Sequence, residues 1–193
     1  MIRPSAAALC GIAICAAALA GCATNNYSQL RLPSLYQNLA TADAKLDVNA
    51  AQSMISGYRT NNGLGPVTLD PELMTLASQQ ARAMAARDKL DHSVWRPFQE
   101  RIHDSSFDAA VAVENIAAGY DTLAEAFSGW RNSASHRANM LNPAVTKMGI
   151  AAVYAPASKY KVFWSLILAR RDARPHESTV PLGPGWNTGL RVN

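Results

Sequence analysis

The chain has 193 residues and a formal charge of +4 at neutral pH, with no run of Lys and Arg. That distribution argues against nucleic acid as a partner. The small basic cluster of Arg170, Arg171 and Arg174 reads as a solvated strand end, with contact to anionic lipid head groups or cell-wall polymer as the alternative. All 3 cysteines, Cys10, Cys15 and Cys22, lie in the first 22 residues. An exported domain without disulfides must rest on its core alone, and one domain of about 125 residues can bury roughly two-thirds of its unfolded surface.

The chain opens with Arg3 and an uncharged apolar run from Ala6 to Ala20, closed by Leu19-Ala20-Gly21-Cys22. A run this short, ending in small residues, reads as a secretory signal rather than a membrane span. Leu-Ala-Gly-Cys also resembles the bacterial lipobox. That resemblance implies loss of residues 1–21 and lipid such as palmitate on Cys22; a plain signal peptide with a chance cysteine is the alternative. Each buried methylene of the lipid would add about 0.8 kcal/mol of membrane affinity. The expected location is extracytoplasmic, lipid-anchored in a bacterial cell envelope. Ala23, rather than Asp, beside Cys22 points to the outer membrane. Residues 22–46 are polar with a weak apolar pattern at Leu30, Leu32, Leu35 and Leu39, and read as a tether.

From Asp47 the pattern becomes helical. Val48, Ala51, Ile55 and Tyr58 recur at helix spacing, and Asn61-Asn62-Gly63 supplies a stop. Asp70-Pro71-Glu72 is a helix start with a capping carboxylate and a first-turn proline. Leu73, Leu76, Ala77, Ala81 and Met84 form its apolar stripe, to about Asp88 or Lys89. His92 follows in a loop, and Arg96 to His103 fits a short helix. Asp121 or Thr122 caps the next helix, in which Leu123, Phe127 and Trp130 face the core. Glu125 points away from them, beside the small Ser128 and Gly129. It is either a solvated acid or a carboxylate at the floor of a groove. Asn132 and Ser133 interrupt this helix. Met148, Ile150, Ala152 and Tyr154 alternate as a strand. Tyr160 to Ala169 is apolar on both faces and needs a layer on each side. Ala155 to Lys159 is the hairpin loop between them. Residues 171–193 read as a loose tail.

Four side chains could carry chemistry: His92, Glu114, Glu125 and His136. Two imidazoles and two carboxylates can hold a divalent ion or move protons. There is no His-Glu-x-x-His and no Gly-x-Ser-x-Gly. Ser93, Ser133 and Ser135 lie beside the histidines, where a cap or loop hydrogen bond is the commoner role for serine. His103 reads as a surface helix residue, and His176 belongs to the tail.

Taken in order, Tyr58-Arg59, the Leu73 to Met84 helix, His92-Ser93, Glu114-Asn115-Ile116-Ala117, Glu125 before Trp130, Ser133 to His136-Arg137, Asn142-Pro143, Gly149 and Phe163-Trp164 resemble the CAP superfamily. These are the cysteine-rich secretory, antigen 5 and pathogenesis-related 1 proteins, and the bacterial single-domain branch is the nearest match. The likeness covers roughly residues 47–170. It implies an α+β fold, a three-layer α-β-α sandwich with a central cleft. It also implies that His92, Glu114, Glu125 and His136 meet there, with Ser93, Asn115 and Ser133 lining the cleft. The histidines would bind zinc or another divalent cation, and the glutamates would stand nearby. The chain departs from the pattern in lacking disulfides and in having Leu166 after Trp164-Ser165, where relatives often have a glutamine. The expected function is a non-catalytic module binding a lipid, glycan or protein ligand at the envelope. The alternatives are a metal-dependent hydrolase of envelope peptide or glycan, with Glu114 and Glu125 as candidate catalytic groups, and a scaffold in which the four residues only staple the cleft.

Overall fold

The computed structural model describes residues 33–173. The expected signal, Cys22 with its expected lipid, and most of the tail lie outside them.

Local chemistry sets the helix boundaries. Helix α1, Val48–Thr60, starts at Asp47, whose Oδ1 accepts the N–H groups of Asn49 and Ala50 at 3.1 and 3.0 Å. Helix α2, Pro71–Arg87, starts at Asp70, which accepts from Glu72 and Leu73, with the proline where no N–H is missed. It ends at Asp88 in the left-handed conformation. A short helix α3, Phe98–His103, follows the His92 loop. Helix α4, Leu123–Asn132, has a capping box between Thr122 and Glu125. The predicted interruption falls at Ser133, which ends α4 and begins a further helix, α5, Ala134–Met140.

The sheet has four strands in the order β1-β3-β4-β2. These are β1 (Thr68–Leu69), β2 (Ala109–Ala118), β3 (Lys147–Tyr154) and β4 (Val162–Arg171). The β1–β3 pair is parallel; β4 runs antiparallel to both β3 and β2. Every residue from Val162 to Ala169 is buried, as a strand with two apolar faces requires. Trp164, Leu166 and Leu168 face Ala51 and Ile55 of α1 and Leu123, Ala126 and Trp130 of α4. Ile167 and Ala169 face Leu73, Leu76 and Ala77 of α2, with Ile102 of α3. The result is an α-β-α sandwich.

Three parts of this were not predicted. Strand β2 is hidden by its small residues and by Glu114-Asn115, a buried polar pair inside a strand. Helix α5 buries only Met140, so it shows no apolar stripe. The expected tether to residue 46 is corrected over its second half. Leu39 is buried and its N–H reaches the Asp121 carbonyl at 2.7 Å. Leu35, Ala40, Ala44 and Leu46 pack on the same core, and Ser34 Oγ donates to Asp47 Oδ2. Leu35 and Leu39 are thus the apolar side of a packed strap; Leu30 and Leu32 lie outside the described residues.

Two contacts hold the layers in register. At Gly149 on β3, the α2 backbone at Leu73 lies so near that any Cβ would overlap its carbonyl. Arg59 of α1 is buried and donates to four carbonyls: Gly65, Met140, Asn142 and Val145, at 2.8 to 3.1 Å. It thereby ties α1 to the segment leaving α5. Gly149→Ala should lower stability by about 1–3 kcal/mol through forced separation of α2 from the sheet. Arg59→Leu should cost about 3 kcal/mol or more by stranding buried carbonyls. Urea unfolding midpoints check both; a wild-type midpoint for either variant would contradict the packing described.

Candidate functional site

The site is built on the outer edge of β2. This strand pairs with β4 on one side only, and its other edge is closed by side chains from α4 and α5. Trp130 Nε1 donates to the Ile116 carbonyl at 3.4 Å, and Asn139 Nδ2 to the Glu114 carbonyl at 3.2 Å. Covering an edge in this way satisfies groups that would otherwise invite another strand.

Successive side chains of β2 point to opposite faces. Asn115, opposite Leu166, lies on the α4–α5 face. Its Nδ2 donates to the His136 carbonyl at 3.0 Å, and its Oδ1 accepts from Asn139 at 2.9 Å. Asn115 therefore holds the α5 backbone at the histidine. Glu114, opposite Ile167, lies on the α2–α3 face. Its Oε2 meets His92 Nδ1 at 2.8 Å, and Arg101 Nη2 reaches both oxygens, at 2.9 and 3.0 Å. Ser165 Oγ of β4 stands 3.4 Å from Oε1.

The loop bearing His92 is pinned from below. Gln80 Nε2 donates to the Asp91 carbonyl at 2.8 Å and Arg101 Nη2 to the His92 carbonyl at 3.2 Å. The His92 side chain is 49% exposed, whereas those of Glu114 and Arg101 are at 1%. The ring thus stands at the surface on a buried ionic base. His136 is half-buried, and its pKa is pulled below the usual 6.5 by burial first and then by the charge of His92. The charge of His92 therefore reaches His136, although the two come from opposite layers of the sandwich.

Glu125 has a different employment. Its Oε2 accepts the N–H groups of Asp121 and Thr122, both at 3.0 Å, and its own N–H donates to Thr122 Oγ1. The space expected beside it at Gly129 is filled by the Tyr120 ring, so the groove-floor reading of this face is corrected. Among the described residues, no three His, Cys, Asp or Glu side chains gather closely enough to hold a metal ion between them. The groups able to take a cation are the two imidazoles, with Glu114 behind one of them. Ser93 is exposed and donates its N–H to Asp91 Oδ1. Ser133 Oγ lies 3.3 Å from Ser135 Oγ.

Sequence reasoning missed Arg101, Gln80, Asn139 and Ser165. For Arg101 a signal existed: Phe98, Arg101 and Ile102 share one face of α3, and an arginine on an apolar stripe asks for a buried partner.

The model of the cysteine-rich secretory protein family, CAP, matches residues 52–168. YkwD of Bacillus subtilis, itself described as uncharacterised, is 31% identical over 133 residues, covering 59% of this chain and 49% of that protein. The chain spans about half the length of that relative. Two solved structures share the fold. An outer surface protein of Borrelia burgdorferi aligns with TM-score 0.61 at 21% identity, over 68% of this chain and 97% of that one. An extracellular protein containing an SCP domain from Bacillus anthracis aligns with TM-score 0.56 at 22% identity, over 64% and 40%. No helix among the described residues is long and apolar enough to cross a membrane. The matched span runs from α1 to β4 and includes both histidines, both glutamates and the whole of β2: the chain belongs to the CAP family.

Proposed function

We propose that the protein is an envelope-anchored, non-catalytic binding module. It takes a lipid, glycan or protein ligand beside His92 and His136, the two residues that would hold zinc or a similar divalent cation. The observation that carries this reading is the His92–Glu114 contact. A carboxylate that accepts from one imidazole nitrogen leaves the other as a lone pair, the usual arrangement behind a metal-ligating histidine. His136 is held neutral by burial and by His92, so it too offers a lone pair. Two nitrogen ligands suit zinc but leave coordination positions open. A cation there would supply a Lewis-acid point at which an oxygen of the ligand can bind.

Catalysis by the glutamates is disfavoured by their bonds. Glu114 faces Arg101, His92 and Ser165, and Glu125 closes a helix cap. A hydrolytic water would need a base free to take its proton. The lipobox-like Leu19-Ala20-Gly21-Cys22 supports the anchor, with Cys22 as the attachment point.

Calorimetry on the chain from Ala23 should show one zinc site that disappears in His92→Ala and in His136→Ala; wild-type binding in either variant would remove the cation from this reading. Incubation with isolated envelope material should give no turnover, and turnover lost in the same variants would replace the binding module with a hydrolase. Mass analysis of protein from its own cells should find Cys22 acylated.

The lowered His136 pKa also has a sign. The folded ring binds its proton less readily than the unfolded one, whose value is near 6.5. Its contribution to stability is present above about pH 6.5 and is lost as pH falls towards the folded value. Unfolding midpoints of the metal-free chain should therefore drop below pH 6.5, and His136→Gln should flatten that drop. An equal drop in the variant would assign it to other groups.

A further inference from the structure

Arg101 is buried to 2% exposure, and its contacts all serve one corner of the site. Nη2 alone reaches Glu114 Oε1, Glu114 Oε2 and the His92 carbonyl, at 2.9, 3.0 and 3.2 Å. Nε donates to the Arg96 carbonyl at 3.3 Å, and the guanidinium carbon lies 5.2 Å from the Phe98 ring centre. Nη1 is buried with no hydrogen-bond partner. Nη2 is therefore the atom through which Arg101 acts on Glu114 and on the His92 loop.

The consequence falls on His92. With the guanidinium and the Ser165 hydroxyl on one side, Glu114 is arranged as an acceptor. The Oε2 facing His92 at 2.8 Å then calls for an N–H, so the proton of the neutral ring sits on Nδ1. The same Nη2 fixes the His92 carbonyl, so backbone and ring are held by one group. We propose that Arg101 is the positioning residue of the histidine site. It holds Glu114 and the His92 backbone so that the ring keeps its proton on Nδ1 and offers Nε2 outward. The binding role of Nε2 rests on the function proposed above; the tautomer does not.

Nitrogen-15 NMR of the histidines in the detergent-solubilised full chain tests this directly. The spectrum is taken at about pH 8.5, above the ordinary imidazole range. The 4 histidines are assigned by single His→Gln variants. Wild-type His92 should show a protonated Nδ1 and a bare Nε2; a protonated Nε2 would overturn the inference without any Arg101 variant. Arg101→Lys keeps the charge but loses the fork. It should shift His92 to a mixture of the two forms and weaken zinc binding by about 10- to 100-fold, the range expected on loss of an outer-shell partner. An Arg101→Lys chain with the wild-type melting temperature and an unchanged His92 tautomer refutes the assignment. Should that variant fail to fold, Glu114→Gln decides. Its amide would turn oxygen to Arg101 and NH2 to His92, moving the ring proton to Nε2; a proton remaining on Nδ1 counts against the scheme. A wild-type chain with the Nδ1 proton but no zinc binding would remove the cation reading while supporting the Arg101 role.

Discussion

A carboxylate buried inside a sandwich is the constraint around which this site is arranged. Glu114 sits on a strand whose neighbours are apolar, and a charge there is costly unless its oxygens are met. Arg101 meets both, Ser165 approaches one and His92 meets the other. The pair Glu114–Arg101 is not evidence of extra stability, since buried ion pairs often do no better than apolar residues of like volume. What it does provide is direction. An apolar pair in the same place would pack, but nothing would orient a ring at the surface above it.

The position of Glu114 on an outer strand gives the arrangement its reach. Because β2 alternates, Glu114 addresses the layer of α2 and α3 while Asn115 addresses that of α4 and α5. One backbone step therefore connects the two histidines: Glu114 holds the ring of His92, and Asn115 holds the carbonyl of His136. The same edge is closed by Asn139 and Trp130, so the strand is a fixed rail and not a docking edge. On a central strand, both neighbours would take the backbone carbonyls, and α5 could not be fastened there.

How much of this the sequence disclosed follows from the periodicities involved. Long amphipathic elements announce themselves: α1, α2 and α4 carry apolar stripes and capping residues, and β4 carries two apolar faces. The Asp70 cap was readable for the same reason, and the α4 cap to within Asp121 or Thr122, since the signal is local. Strand β2 was silent because its functional residues break the alternation by which strands are recognised. Glu125 was ambiguous because direction away from the core does not say what a carboxylate accepts; only the fold shows it turned back on its own helix start. The order of motifs brought His92, Glu114 and His136 under one family resemblance, but Arg101 and Gln80 act through contacts 9 to 13 residues away in the chain, which no local pattern prints.

The balance between binding and catalysis turns on what remains free. Glu114 already accepts from donors on several sides, and its surroundings bury it. A base must give up such contacts to take a proton, whereas a support for His92 must keep them. His136 is shifted in the direction that keeps it neutral, which suits a lone-pair donor better than a general acid near neutral pH. The exposed ring of His92 above a closed ionic base has the same character: one atom is presented and everything behind it is held still. Under the binding function proposed above, such a site would take a cation with little reorganisation, and preorganisation of this kind is where affinity is gained.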